Sequence, residues 1–416
     1  MSLAKDVGRR LGLRAPSAGG RRAAGGDGDR PGGTGGTGGT GGTGGTPAVP
    51  AVGPTGAGGG RGGTGGGGTG SPAGRRGGAG GRGGAGRSGG SAPSTVTGRE
   101  LLVAAAWLVT AALAIIAVGR LVHLDDAITW PYTVANALTP LLYLPVYAAL
   151  AVGFALRRGR LMMLCGLVAV AHLFWAVPEL FPGGPENAPQ GSARLRVMAA
   201  NLLYHNAEAG RLGDQIRHAS PDVLVLVELS PLTLTKLRDS GALADYRYSE
   251  VHPQEGAFGA AVFSRFPLSD AATPEVAGYS SLRATVRVDE RRSFVVHAVH
   301  TIAPTSGEYA RAWRDQLDHL RTEVEASRLP VVLAGDFNAT RDNRPLRELI
   351  SAGVRDAHDV VGAGWTPTWN ASMFAVPPIA RIDHILASPA FAITGYQIGS
   401  EFGSDHKPVL ADLAMR

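Results

Sequence analysis

Two stretches of this 416-residue sequence carry residue types that could do chemistry: Val331–Thr340, VVLAGDFNAT, and Gly403–Leu410, GSDHKPVL. Each joins a short apolar run to acids, amides or a histidine, the pattern of a buried strand that delivers polar side chains at its end. Gly335 lets the backbone turn tightly, after which Asp336 and Asn338, two residues apart, point to the same side of the chain. Asp405 and His406 arrive from the far end of the same region. An acid, an amide and an acid–histidine pair meeting at strand ends suit hydrolysis of a phosphate ester. The amide positions the substrate, the acids hold a metal and orient water, and the imidazole donates to a phosphate oxygen. GDFN or SDH alone is equally an ordinary turn; further polar residues at the ends of apolar runs weigh against that reading. Asn201 closes the run in RVMAANLLYHN, and Glu228 closes the one in PDVLVLVELS. A carboxylate directly after five apolar residues is seldom a core residue, because burying its charge unpaired is costly. In SFVVHAVHTIAP, His297 and His300 stand three apart, so on a strand they face opposite sides. Asp383 in RIDHIL is a residue type that holds a nearby histidine in its productive tautomer.

Elements able to position these residues follow in the sequence. Strands are expected at Leu195–Ala200, Val223–Val227, Ala260–Ser264, Leu282–Val288, Ser293–Val299, Val331–Leu333, Ile382–Ala387 and Pro408–Leu413, and helices at Ala209–Ala219, Gly307–Ser327 and Arg344–Ser351. Apolar strands at this density need two sheets facing each other, with helices outside.

The rest of the chain is of another kind. Most of the 61 glycines precede residue 93, and GGT triplets run from Gly32 to Thr46. With almost nothing to bury, residues 1–98 read as a disordered Gly/Arg-rich tail. Residues 99–182 hold three apolar spans, Leu101–Gly119, Val134–Leu156 with Pro140 and Pro145 inside it, and Leu161–Val177. The first is 19 residues without a charge, which as a helix reaches about 28 Å, enough to cross the hydrocarbon core. Arg99 flanks the first span, and Arg157, Arg158 and Arg160 fill the loop between the second and third. The positive-inside rule therefore makes the tail cytoplasmic and everything after the third span extracellular, in a multi-pass cell-membrane protein. His172, lone inside the third span, reads as a neutral packing residue. Residues 183–192, rich in Pro and Gly, read as a linker, and 193–416 as the catalytic domain. Residues 191–416 carry 23 basic and 26 acidic groups, a balance that argues against a general nucleic-acid footprint. The single cysteine, Cys165, excludes an intrachain disulfide.

In order along the chain, Asn201, Glu228, His300, Asp336 with Asn338, Asp383, and Asp405 with His406 resemble the motif series of the endonuclease/exonuclease/phosphatase (DNase I-like) superfamily. The resemblance spans about residues 193–416. It implies an α/β fold, a four-layered α/β sandwich, here preceded by three transmembrane helices and a disordered tail. It also implies a divalent cation, usually Mg2+, with Mn2+ as the alternative. By that resemblance Glu228 is the main metal ligand, Asn201 its neighbour and Asp405 near the metal. Asp336 orients or deprotonates water, Asn338 holds phosphate, and His406 contacts phosphate with Asp383 as its partner. His300 matches the second histidine of the DNase I and sphingomyelinase branches. Apolar spans ahead of such a domain are similar in architecture to teicoplanin-resistance membrane proteins. The function expected is a membrane-anchored, metal-dependent phosphohydrolase acting on a phospholipid or lipid-linked (pyro)phosphate at the outer membrane face. The alternatives are an exported endo/exonuclease and an inactive scaffold or sensor of the same fold.

Overall fold

The structure is a computed structural model that describes residues 96–123, 130–180, 183–362, 364–370 and 377–416; the expected disordered tail lies, up to residue 95, outside them. The strands are β1 Ala193–Asn201, β2 Val223–Val227, β3 Tyr248–His252, β4 Ala260–Ser264, β5 Leu268–Ala272, β6 Glu275–Val276, β7 Tyr279–Ser280, β8 Leu282–Arg287, β9 Ser293–His300, β10 Val331–Asp336, β11 Arg355–Asp356, β12 Asp383–Ala387, β13 Phe391–Ile398 and β14 Val409–Met415. Among the described residues they form two six-stranded sheets, β13-β14-β1-β2-β4-β3 and β11-β12-β10-β9-β8-β5, and a small β6-β7 pair.

Both sheets are built on one plan. β1 is parallel to β2 and antiparallel to β14, while β10 is parallel to β9 and antiparallel to β12. Parallel strands are covered on both faces, and β2 and β10 are buried along their whole length. Val197, Val225 and Val262 from one sheet meet Val296, Val332 and Ile385 from the other in the central core. On the outer face of the first sheet, Met198, Leu224 and Phe263 pack against the helices α6 Leu212–Ala219 and α7 Pro231–Asp239. On the outer face of the second, Val331 and Leu333 pack against Trp313 and Leu317 of α8 Gly307–Ala326 and Leu346 of α9 Arg344–Ser351. A short helix, α10 Ala357–Val361, follows β11. Gly335 lies inside β10 and not at a turn. Its φ is 137°, and a Cβ there would sit 2.1 Å from the Val299 carbonyl oxygen, so glycine is required by the close approach of β9.

Ahead of the sandwich come α-helices Gly98–Leu121, Trp130–Ala137, Thr139–Leu142, Pro145–Ala155 and Gly159–Leu180, named here M1 to M5 in chain order. M1 and M5 are long and apolar enough to cross a membrane; Trp130–Ala137 and Thr139–Ala155 meet that test only as a pair bent by 81°. By length and composition, two of the described helices could cross a membrane, or three segments if the bent pair counts as one. The bend has a local cause, since Pro140 stands in the first turn of M3 and cannot continue the preceding helix. M1 opens on a capping box between Thr97 and Glu100. His172 is a packing residue: its ring nitrogens meet the Tyr147 hydroxyl at 3.0 Å and the Pro140 carbonyl at 3.3 Å. Residues 183–192 lie along the sandwich. The Gly184 amide donates to Val360 O, and Glu186 accepts from the Ile393 amide and pairs with Arg355 at 2.5 Å.

Candidate active site

Topology brings the chemistry together. The two parallel pairs end side by side, so β1 and β2 deliver Asn201 and Glu228 while β9 and β10 deliver His300 and Asp336, the last two in direct register. β12 runs antiparallel to β10 and starts where β10 ends, which sets Asp383 opposite Asp336. β14 is antiparallel to β1, so Asp405 and His406, just before it, reach the same edge.

Asn201, fully buried, donates from Nδ2 to Glu228 Oε1 at 3.0 Å and to Asp336 Oδ2 at 3.1 Å, tying the two sheets' acids together. Its Oδ1 accepts the Leu203 amide, and Glu228 Oε2 accepts the Tyr204 amide. Asp336 Oδ1 accepts the Asn338 amide at 2.8 Å. Asn338 Nδ2 donates to Thr301 O at 2.8 Å and approaches Asp336 Oδ2 at 3.3 Å. His406 Nδ1 meets Asp383 Oδ2 at 2.8 Å, which leaves Nε2 3.6 Å from Asp336 Oδ2. His300 Nε2 lies 3.6 Å from Glu228 Oε1 and 3.8 Å from Asp336 Oδ2, with its ring stacked on Phe258. His297 is buried beside Arg283 and His319, away from this group, as the three-residue spacing required. Leu203, Glu228 and Asn338 all have φ between 45° and 56°, the left-handed region that L-residues avoid. Such backbone persists only where the surroundings enforce it.

The site holds more acid than its own cations neutralise. Burial pushes the Glu228 carboxyl up to about 7, with Asn201 and His406 opposing, and the Asp336 carboxyl up to about 8, with His406 and the Asn338 amide opposing. Burial, with the neighbouring His406 charge, pushes His300 down to about 4. For His406 burial also opposes charge, but Asp383, Asp336 and Asp405 together hold its pKa well above the ordinary histidine value. Asp405 Oδ1 is buried with no hydrogen-bond partner among the described residues.

A divalent cation fits this donor set, because oxygen ligands with surplus negative charge are what a hard cation takes. Two groupings compete for it. Asp336, Asp383 and His406 offer ligand atoms within 4.8 Å of one another. In that trio, however, Asp383 already accepts from both His406 and the Thr368 hydroxyl, and a charged imidazole repels a cation. Glu228, whose proton affinity the Asp405 charge raises, and Asp405 could hold it instead, with Asn201 as the donor that orients Glu228. Two contributors were absent from the sequence reading. Thr368 Oγ1 donates to Asp383 at 2.6 Å, and Ser404 bridges Asn201 O and the His406 amide. Ser404 is the serine of the SDH motif itself, a signal that could have found it; Thr368 carries none.

Buried acids and histidines gathered at the strand ends of both sheets of an α/β sandwich are residue types suited to hydrolytic chemistry. The endonuclease/exonuclease/phosphatase family pattern matches residues 198–406, and the chain belongs to that family, whose members hydrolyse phosphoester bonds. Comparison with curated protein sequences gave no match. Among solved structures the chain is similar to an endonuclease/exonuclease/phosphatase from Beutenbergia cavernae, at 26% identity and TM-score 0.44 over 53% of this chain and 72% of that one. It is also similar to a family member from Bacteroides thetaiotaomicron, at 18% identity and TM-score 0.43 over 54% and 99%. A third is the 3′ phosphatase NExo from Neisseria, solved with product DNA hairpin, at 21% identity and TM-score 0.41 over 52% and 98%.

Proposed function

We propose that this chain is a membrane-anchored, divalent-metal-dependent phosphoric ester hydrolase acting on a phospholipid or lipid-linked (pyro)phosphate at the outer membrane face. The observation that carries the reading is the convergence of Asn201, Glu228, His300, Asp336, Asn338, Asp383 and His406 at one buried sheet edge, in a chain with apolar helices ahead of the sandwich. Asp336, pushed up by burial and facing His406, is suited to orient water and take its proton. His406, held charged and fixed by Asp383, donates to the phosphoryl oxygen as negative charge develops there. Asn338 and the neutral His300 contact the other phosphate oxygens. Mg2+ or Mn2+ would be held by Glu228 and Asp405, with Asn201 beside them, and would polarise a phosphoryl oxygen.

The outer-face assignment rests on charge. Arg120 and Glu179, near the ends of M1 and M5, contact the sandwich, whereas Arg99 and the Arg157–Arg160 loop stand at the opposite ends of these helices. A Lys236→Cys, Cys165→Ser variant should react with a membrane-impermeant maleimide on intact cells; labelling only after lysis reverses the orientation. For substrate, the full chain in lipid vesicles with Mg2+ should hydrolyse a lipid phosphate or pyrophosphate faster than duplex DNA. Duplex DNA cut at least as fast as every lipid phosphate tried replaces this reading with the nuclease one, which the domain's net acidity disfavours.

A further inference from the structure

We propose that the helices ahead of the sandwich position its active site: Arg120, through Asp342, and Glu179, through Arg381, hold the two segments that carry Asp336–Asn338 and Asp383. This rests on the phosphohydrolase reading of the site. Arg120, in the last turn of M1, donates to Asp342 Oδ1 at 2.8 Å, to Asn136 Oδ1 at 3.0 Å and to Thr139 Oγ1 at 2.6 Å, and lies over the Trp175 ring. Around it M2 grips the same loop. Asn136 Nδ2 donates to Asp342 O at 2.7 Å, Asn343 Nδ2 donates to Thr133 O at 3.1 Å, and Thr340 Oγ1 donates to Ala137 O at 3.2 Å. Thr340–Asn343 begins two residues after Asn338. Asp342 and Asn343 are buried, and burial pushes the Asp342 carboxyl up against the pull of Arg120. Without Arg120 that acid is stranded, and the loop must move to solvate it.

The second clamp comes from M5. Glu179 pairs with Arg381 Nε at 3.0 Å, and Arg381 Nη1 donates to Asp356 at 2.6 Å. Asp356 meets His384 Nδ1 at 2.7 Å, and His384 Nε2 lies 2.9 Å from Ala339 O. Arg381 is two residues before Asp383, and Ala339 directly follows Asn338. One buried network thus reaches both catalytic strand ends. A misplacement of about 1 Å at such a site costs on the order of a hundredfold in rate. A domain merely tethered by residues 183–192 would turn over a soluble phosphodiester equally well without the helices. These contacts predict that it would not.

The test uses the full chain in nanodiscs with Mg2+ and bis(p-nitrophenyl) phosphate. Arg120→Ala should lower kcat about tenfold or more with KM within about twofold, while Arg158→Ala at the far end of the helices leaves both unchanged. Adding Asp342→Asn to Arg120→Ala should restore part of kcat, because the stranded charge is gone. Amide exchange across Phe337–Asn343 should accelerate in Arg120→Ala. Where Arg120→Ala folds poorly, Asn136→Ala, which removes one hydrogen bond to the loop, should lower kcat about threefold and speed the same exchange. Wild-type kcat and exchange in the folded variants overturn the proposal. A wild-type chain that hydrolyses no phosphodiester, with exchange still faster in Arg120→Ala, overturns the phosphohydrolase reading and leaves the coupling standing.

Discussion

Among the described residues stand two buried clusters of acids and histidines, and they are electrostatic opposites. At the junction with the helices, Glu179, Asp356 and Asp359 surround Arg381, whose guanidinium bonds to all three. At the sheet edge, Glu228, Asp336, Asp383 and Asp405 have His406 as their charged partner, and two of the carboxyls are pushed up by burial to about 7 and about 8. Asp356 is instead held well below the usual carboxylate range: burial opposes its charge, but Arg381 and His384 outweigh it. Burial is similar in both places, so burial does not distinguish a working site from a structural one. The balance of charge does: Arg381 with His384 holds Asp356 down, whereas His406 leaves Glu228 and Asp336 raised. Glu179, His358 and Asp359 also stand close enough together to hold a metal, yet Arg381 already occupies that electrostatic role.

Removing chemistry from the sheet edge should give the largest effect. Asp336→Ala and His406→Ala should each lower kcat by about 10²–10⁴. Asp336→Ala relieves surplus buried negative charge and should leave thermal stability unchanged or raised, whereas His406→Ala removes the cation paired with Asp383 and should lower it. Full activity in either variant would sink the assignment. The junction should behave in the reverse way. Arg381→Met strands Asp356 and Glu179 in the interior and should destabilise the fold by about 3–5 kcal/mol, seen as a lower denaturation midpoint. If Arg381→Met is as stable as wild type, the contrast between the clusters is lost.

A divalent cation should sharpen the contrast at intermediate size. A carboxyl whose folded pKa is raised binds its proton more tightly when folded, so stability falls as pH rises from about 4 through the folded values of about 7 and about 8. Mg2+ should offset that loss, raising stability by about 3 kcal/mol at a hundredfold excess over its Kd, and by more at pH 8 than at pH 6. Glu228→Gln should remove most of the gain. A Tm that ignores Mg2+ and EDTA alike would refute the metal assignment.

What the sequence disclosed follows from the same physics. Glu228 and Asp336 were legible because each ends an apolar strand, and a charge there is conspicuous. β13 was not legible: a bulge between Ile393 and Gly395 breaks its period. β3 is a half-exposed edge strand, YSEVH, without an apolar run. α7 carries its sequence signal in the Ser230 cap and Pro231 and not in an apolar period. Thr368 acts through a single hydroxyl in a loop, which has no periodicity to read. The junction was hidden for another reason. Arg120 and Asp342 lie 222 positions apart, and Glu179 and Arg381 lie 202 apart; nothing local marks either partner.

The smallest effect expected is an acid limb that belongs to the junction alone. Asp356 has a depressed folded pKa, so its contribution to stability is fully present above the unfolded value of about 3.9 and is lost as pH falls from there toward the folded value. In the unfolded chain Glu228 and Asp336 titrate near pH 4 as well, but they do so alike with and without Asp356. Surface carboxylates titrate alike in wild type and in an Asp356→Asn variant, and so cancel in the difference. Asp356→Asn should therefore be less stable than wild type by a constant amount between pH 5 and 7, and the gap should narrow between about pH 4 and 2.5. It narrows only partly, since the lowered pKa lies beyond the accessible range and the Arg381 pair is still partly charged there. Denaturation of the full chain in detergent, followed for both proteins across these pH values, reads the gap directly. A gap that stays constant down to pH 2.5 would mean that Asp356 is not held charged by Arg381, and that the two clusters do not differ in the way their geometry requires.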